Sequence, residues 1–180
     1  MIWNIDSGKS TIGFGVKHMM FSTLKGRFHR VSGMVDWDEE NPTHSKIEAI
    51  VETSSIQTDD KSRDKHLRSE DFFDIRNYPY MTFKSTRIKP IGHNKYRLTG
   101  NLTIKTVTKE VNFEVDYAGR NGRAFDGNFS AFRAIAQINR KEFGLVWNAS
   151  IEAGGLAVGE QIKIELLINT AKESAVTVAA

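Results

Sequence analysis

Arg63, Asp64 and His66 stand close together in a charged stretch, TDDKSRDKHLRSEDFFDIRNYPYMTF, running from Thr58 to Phe83. An arginine presents a planar fork suited to a phosphate or carboxylate. A carboxylate beside an imidazole can hold or move a proton. The cluster therefore reads either as a head-group or acid–base site, or as a brace in which Arg63 and Asp64 fix their segment by ion pairing. The brace is the preferred reading, because an Arg–Asp pair on a helix more often holds an element than touches a ligand. Arg140, beside Asn139 at a strand end, carries the same two readings. Arg63, His66 and Arg140 are thus the head-group candidates. Phe72 and Phe73 follow the cluster directly and add apolar surface to it.

Other chemistries find little footing. Cysteine is absent, which excludes disulfides, thiolate metal sites and cysteine nucleophiles. The five histidines (His18, His29, His44, His66, His93) show no metal-binding spacing. His18 shares a strand face with Phe14 and Val16, the setting of an interior histidine. The acidic run Asp36, Asp38, Glu39, Glu40 lacks the glycine and spacing of a calcium loop. No Gly-x-Ser-x-Gly elbow occurs, and the sequons at Asn101, Asn128 and Asn148 are unremarkable in a chain rich in Ser and Thr. No catalytic residue, metal site or cofactor is expected. Basic and acidic residues, 25 against 22, are mixed along the chain, so nucleic acid is not an expected partner.

The elements that must carry these residues are mostly strands. The 180 residues fit one domain, 1–171, followed by a tail 172–180 expected to fray. Apolar and polar residues alternate at the period of half-buried strands over 1–6, 10–18, 24–38, 45–56, 80–88, 95–104, 107–117, 125–139 and 158–171. Val111, Phe113, Val115 and Tyr117 give the cleanest example. Gly26 and Gly33 are expected to bend the strand over 24–38, Pro90 to Asn94 to form a hairpin turn, and Asn121-Gly122 to form another. One helical insert is expected between about Asp60 and Arg76, ended by Pro79. Residues 145–157 are the least legible. Short turns between consecutive strands favour an antiparallel up-and-down sheet. No run of about 18 apolar residues occurs, so no transmembrane segment is expected. No signal peptide precedes the first strand, which points to the cytoplasm as the sequence stands, or to the periplasm for a processed mature chain.

The aromatics are distributed. Phe14, Phe28, Phe83, Phe113, Phe132, Phe143 and Trp147 lie on separate segments, with Phe72 and Phe73 on the insert. They can fill a closed core or line a tunnel, and the pattern alone does not separate the two.

The chain resembles the YceI-like family of polyisoprenoid-binding, lipocalin-like proteins, and does so in order along nearly its whole length. The matching residues are Trp3-x-Ile5-Asp6; Ser10, Phe14, Val16 and His18; Gly26-x-Phe28; Gly33; Thr58; Arg63-Asp64-x-His66-Leu67; Phe72-Phe73-Asp74; Tyr78-Pro79; Phe83; Thr99-Gly100-x-Leu102-Thr103-Ile104; Val107-Thr108-Lys109-x-Val111; Asn139-Arg140-x-x-Phe143-Gly144; and Val158-Gly159. Two positions depart from the pattern, Lys9 in place of a histidine and Thr106 in place of a glycine. The resemblance implies an all-β, eight-stranded antiparallel lipocalin-like barrel of a bacterial protein, with one short helical insert and an elongated apolar cavity. It implies that an isoprenoid lipid, a polyprenyl phosphate or isoprenoid quinone, is carried, transported, stored or sequestered there. Phe14, His18, Phe28, Phe72, Phe73, Phe83, Phe113, Phe132, Phe143 and Trp147 are then the candidate lipid-binding residues. The alternative is an enzyme acting on such a lipid in the same cavity, using His18 or the Arg63/Asp64/His66 cluster. A homodimer is left open.

Overall fold

The computed structural model describes residues 2–18, 21–119, 129–149 and 158–172. Its strands are β1 (Ile2–Ile5), β2 (Thr11–His18), β3 (Ser22–Phe28), β4 (Val31–Asp36), β5 (Lys46–Glu52), β6 (Ile56–Gln57), β7 (Tyr80–Gly92), β8 (Lys95–Ile104), β9 (Val107–Tyr117), β10 (Phe129–Asn139) and β11 (Val158–Lys172). β1 with β2, β3 with β4, and β5 with β6 are three broken barrel strands. With β7 to β11 they make an eight-stranded antiparallel barrel. The ring closes where Trp3 of β1 registers against Val35 on one side and Lys172 on the other. Among the described residues each barrel strand has a neighbour on both sides, the β9–β10 seam being the shortest, paired from Phe132 to Ile135 only.

Strand alternation is what makes the wall. In β9, Val111, Phe113, Val115 and Tyr117 are buried while Asn112 and Glu114 between them are exposed. Breaks in the second and third barrel strands fall at polar residues and not at Gly26 or Gly33. The strand expected over 24–38 is interrupted at His29–Arg30, and that over 45–56 by a 3-10 turn at Thr53–Ser55. Gly33 (φ 148°) serves a close approach instead: a Cβ there would sit 2.1 Å from the Glu48 carbonyl oxygen of β5. The β7–β8 turn is shorter than expected. Pro90 and Ile91 stay in β7, and Asn94 takes the positive φ (53°) that the tight turn needs. The Asn121-Gly122 turn, the start of the segment expected from 125 and the tail beyond 172 lie outside the described residues.

The helical insert is shorter than its sequence suggests. Helix α1 spans Lys61–Arg68, with Asp60 capping it by accepting from the Arg63 N–H at 2.9 Å. It stops because Ser69 folds back, donating its N–H (3.0 Å) and its hydroxyl (2.6 Å) to the His66 carbonyl. Phe72 and Phe73 then lie in turns, and the chain reverses at Asp74 (φ 48°). No helix among the described residues is long and apolar enough to cross a membrane.

Candidate functional site

The barrel interior is open. A cavity of about 700 Å³ runs through it, lined by side chains from every barrel strand and from the insert. Its wall is aliphatic and aromatic over most of its length. Gly26 helps shape it. A Cβ at Gly26 would meet the Phe14 ring at 2.4 Å and the Thr58 methyl at 2.9 Å, so only glycine lets Phe14 of β2 lie across β3. Phe14 in turn packs on Phe28 (ring centroids 5.7 Å apart), and Phe28 meets Phe73 edge-on (5.6 Å).

One end is plugged. Trp37, just beyond β4, lies 5.1 Å from Tyr96, 5.1 Å from Tyr117 and 5.2 Å from Phe132, while Tyr117 stacks on Phe132 at 4.8 Å. The Tyr117 hydroxyl donates to Glu39 at 2.8 Å. Trp37 and Tyr96 were not expected to face the interior. Tyr117 was legible, sharing the face of Val115.

Polar groups gather at the other end, around the insert and the β2–β3 turn: Asp60, Ser62, Arg63, His66 and His18. The insert is fastened on its barrel side. Asp64, buried, accepts from the Thr58 N–H (2.8 Å) and the Thr58 hydroxyl (2.6 Å). Arg68 donates to the carbonyls of Ser54 (3.0 Å) and Ile56 (2.7 Å). At the exit, Thr53 donates its hydroxyl to the Tyr78 carbonyl (2.8 Å) and its N–H to the Pro79 carbonyl (3.0 Å).

The expected cluster is therefore split. Arg63 and Asp64 do not pair with each other: adjacent helical side chains diverge by about 100°, so Asp64 turns into the barrel rim and Arg63 turns to Asp60 at the cavity mouth, 3.6 Å away. The brace runs through Asp64 and Arg68. No local sequence pattern marks Arg68, because its acceptors are backbone carbonyls. His66 sits over the cavity mouth, its Nε2 2.7 Å from Asp71, its ring edge-on to Trp147 (4.5 Å) and Phe72 (5.2 Å).

Phe14, His18, Phe28, Phe72, Phe73, Phe83, Phe113, Phe132 and Trp147 all reach the cavity wall. Phe143 does not. It is the last residue of a 3-10 turn (Arg140–Phe143) and packs into the core behind the wall, where it is 2% exposed. Arg140 does line the cavity, with its guanidinium turned to backbone carbonyls. Its Nη1 donates to the Leu145 (2.6 Å) and Trp147 (2.9 Å) carbonyls, its Nε to the Gly159 carbonyl (2.8 Å) and its Nη2 to the Val158 carbonyl (3.3 Å). Burial lowers its pKa from the ordinary arginine value, and nearby Glu160 acts in the opposite sense. A guanidinium committed to four carbonyls holds the 145–149 loop against β11 and has little left for a head group.

A family model described as the YceI-like domain matches residues 3–170. The chain belongs to the YceI-like family. A UPF0312 protein of Staphylococcus epidermidis is 35% identical over 164 residues, 91% of this chain and 93% of its own length. BcnA of Burkholderia cenocepacia superposes with a TM-score of 0.79 at 26% identity, covering 92% of this chain and 98% of that one. A polyisoprenoid-binding domain from Saccharophagus degradans, implicated in plant cell wall breakdown, shares the fold at a TM-score of 0.69 and 12% identity, covering 94% and 97%.

The two departures of this YceI-like chain are accommodated by its backbone. At position 9 the group used is the Lys9 carbonyl, which accepts from the Asn169 side-chain amide at 2.5 Å. In the β8–β9 turn the positive φ falls on Lys105 (54°), leaving Thr106 outside the left-handed region.

Proposed function

We propose that this YceI-like protein binds an isoprenoid lipid, a polyprenyl phosphate or an isoprenoid quinone, in the barrel cavity as a carrier, storage or sequestering protein. The observation that carries the reading is the cavity itself. It is about 700 Å³ in volume, apolar over most of its length and polar at its mouth, the distribution that suits a long hydrocarbon tail with one polar end. The Saccharophagus degradans domain, described as polyisoprenoid-binding, has the same fold. Each buried methylene contributes about 0.8 kcal/mol gross, so a tail of a few isoprene units needs no specific polar contact to be held.

The polar end offers modest recognition. Arg63, half-exposed and only 3.6 Å from Asp60, and Ser62 can approach a phosphate or a quinone carbonyl. A catalytic reading is less well supported. Asp64 is spent on Thr58, and His66 is held between two aromatic rings and Asp71. Among the described residues that leaves no nucleophile, base and orienting group aligned on one point of the cavity.

Mass spectrometry of an organic extract of purified protein tests the proposal. One isoprenoid per chain is expected, together with reloading of delipidated protein by geranylgeraniol delivered from cyclodextrin. Extracts empty of isoprenoid and a failure to reload would overturn it. Chemical turnover of the loaded lipid, abolished in His66→Ala with binding intact, would favour the enzyme.

A further inference from the structure

Two large hydrophobic side chains at the cavity mouth point away from the protein. Phe21, in the β2–β3 turn, is 93% exposed, and Val146 is 61% exposed; other exposed hydrophobics among the described residues reach 55% at most. Both are placed by neighbours that line the cavity. The Ser22 hydroxyl donates to the His18 carbonyl at 2.7 Å, closing the turn that holds out Phe21, and His18 itself faces the cavity. Val146 lies between Leu145 and Trp147, which both turn inward to the wall while Val146 turns out. The two features share one side of the mouth. Asn148 clasps Val158 by donating its side-chain amide to the Val158 carbonyl (2.7 Å) and accepting the Val158 N–H (3.0 Å), and Val158 registers against His18.

Charge accompanies them. Lys17 and Lys25 are exposed diagonal neighbours on the outer face of the β2–β3 ribbon, since Lys17 registers with Thr23 and Gly15 with Lys25. The carboxylates of Asp60 and Glu160 are paired with Arg63 and Lys141, and Asp71 is hydrogen-bonded to His66. An apolar tip flanked by lysines is the arrangement that enters the head-group region of an anionic bilayer.

We propose that this rim docks on an anionic phospholipid bilayer, with Phe21 and Val146 inserted and the lysines on the head groups, so that the cavity mouth opens directly onto the membrane. The proposal rests on the cavity holding a lipid. A tail too apolar to cross water in useful amounts then passes between bilayer and barrel without leaving an apolar environment.

Flotation with phosphatidylcholine vesicles, with and without phosphatidylglycerol, tests it on the whole chain. The wild-type protein is expected to float with the anionic vesicles and to be released by salt. Phe21→Ser should weaken the partition about tenfold, the worth of one inserted aromatic ring. Lys17→Gln with Lys25→Gln should flatten the salt dependence. Geranylgeraniol uptake from cyclodextrin should be unchanged in Phe21→Ser while uptake from vesicles slows. Wild-type protein that stays off anionic vesicles, or Phe21→Ser that floats as well as wild type, overturns the docking surface and leaves the cavity reading intact. Self-association through this face, lost in Phe21→Ser and unaccompanied by flotation, also overturns it. Flotation with no uptake from either source upholds the surface and overturns the cavity reading.

Discussion

Removing the Asp64 carboxylate should release the insert from the barrel, and the cost can be worked from its contacts. One oxygen, Oδ1, accepts both the N–H and the hydroxyl of Thr58, at 2.8 and 2.6 Å, with both residues 7% exposed. Hydrogen bonds to a charged acceptor each contribute about 1.5–3 kcal/mol, and a buried donor left without a partner costs about 1–3 kcal/mol. Asp64→Ala is therefore expected to lose about 3–5 kcal/mol, a large share of the 5–15 kcal/mol typical of a domain. With a urea m-value near 2 kcal/mol/M the midpoint should fall by about 2 M. Asp64→Asn keeps the acceptor and loses the charge, so about 1–2 kcal/mol is expected. In a double-mutant cycle Thr58→Val should show coupling to Asp64→Ala, because each removes the same hydroxyl contact. A midpoint shift under about 0.5 M, or no coupling in the cycle, would refute the assignment of Asp64 as the fastener.

Phe72 and Phe73 should separate stability from ligand retention. Phe72, 7% exposed and packed on His66 and Trp147, should cost about 3–5 kcal/mol as Phe72→Ala by denaturant melting, whereas the half-buried Phe73 should as Phe73→Ala mainly speed loss of bound lipid. Gly26→Ala should displace the Phe14 ring and narrow the cavity, seen as a lower lipid stoichiometry at a stability cost of about 1–3 kcal/mol. Asp60 titrates below the ordinary carboxylate range because the Arg63 N–H donates to it and the Arg63 charge adds to the effect. Its contribution is thus present above the unfolded-state pKa and lost as pH falls through the folded one. Asp60→Ala should erase that part of the acid limb in pH-dependent melting.

Much of this fold was legible because alternation is a local signal. From Val111 to Tyr117 in β9 every second residue is apolar, and those residues face inward. The insert announced itself by breaking that period. Its helix was overextended in the reading because Ser69 closes on the His66 carbonyl, a contact that helical propensity does not reveal. Phe143 was grouped with the wall because a phenylalanine in sequence carries no mark of which side of a 3-10 turn it takes. Arg140 reads in the sequence as a head-group candidate, and Arg68 draws no reading at all. Their acceptors are carbonyls brought close only when the barrel forms, and the pairs Arg140–Gly159 and Arg68–Ser54 are invisible until the chain is folded. The plug around Trp37 was missed for the same reason, since β4, β8, β9 and β10 meet there only by topology.

The join between the first and last barrel strands sets the order in which this molecule can come apart. Every other neighbour in the ring is also next in the chain, so those hairpins can zip locally and early. The closing pair spans nearly the whole sequence, and bringing such distant segments together carries about 4 kcal/mol of loop-closure entropy. Ser10 and Asn169 stitch it: the Ser10 hydroxyl donates to the Asn169 carbonyl at 3.1 Å and accepts the Asn169 N–H at 3.0 Å, where β1 breaks into β2. Contacts formed last act on the escape rate and hardly on the folding rate. Ser10 and Asn169 therefore govern how long the barrel, once closed, stays closed: they set its kinetic stability against unfolding.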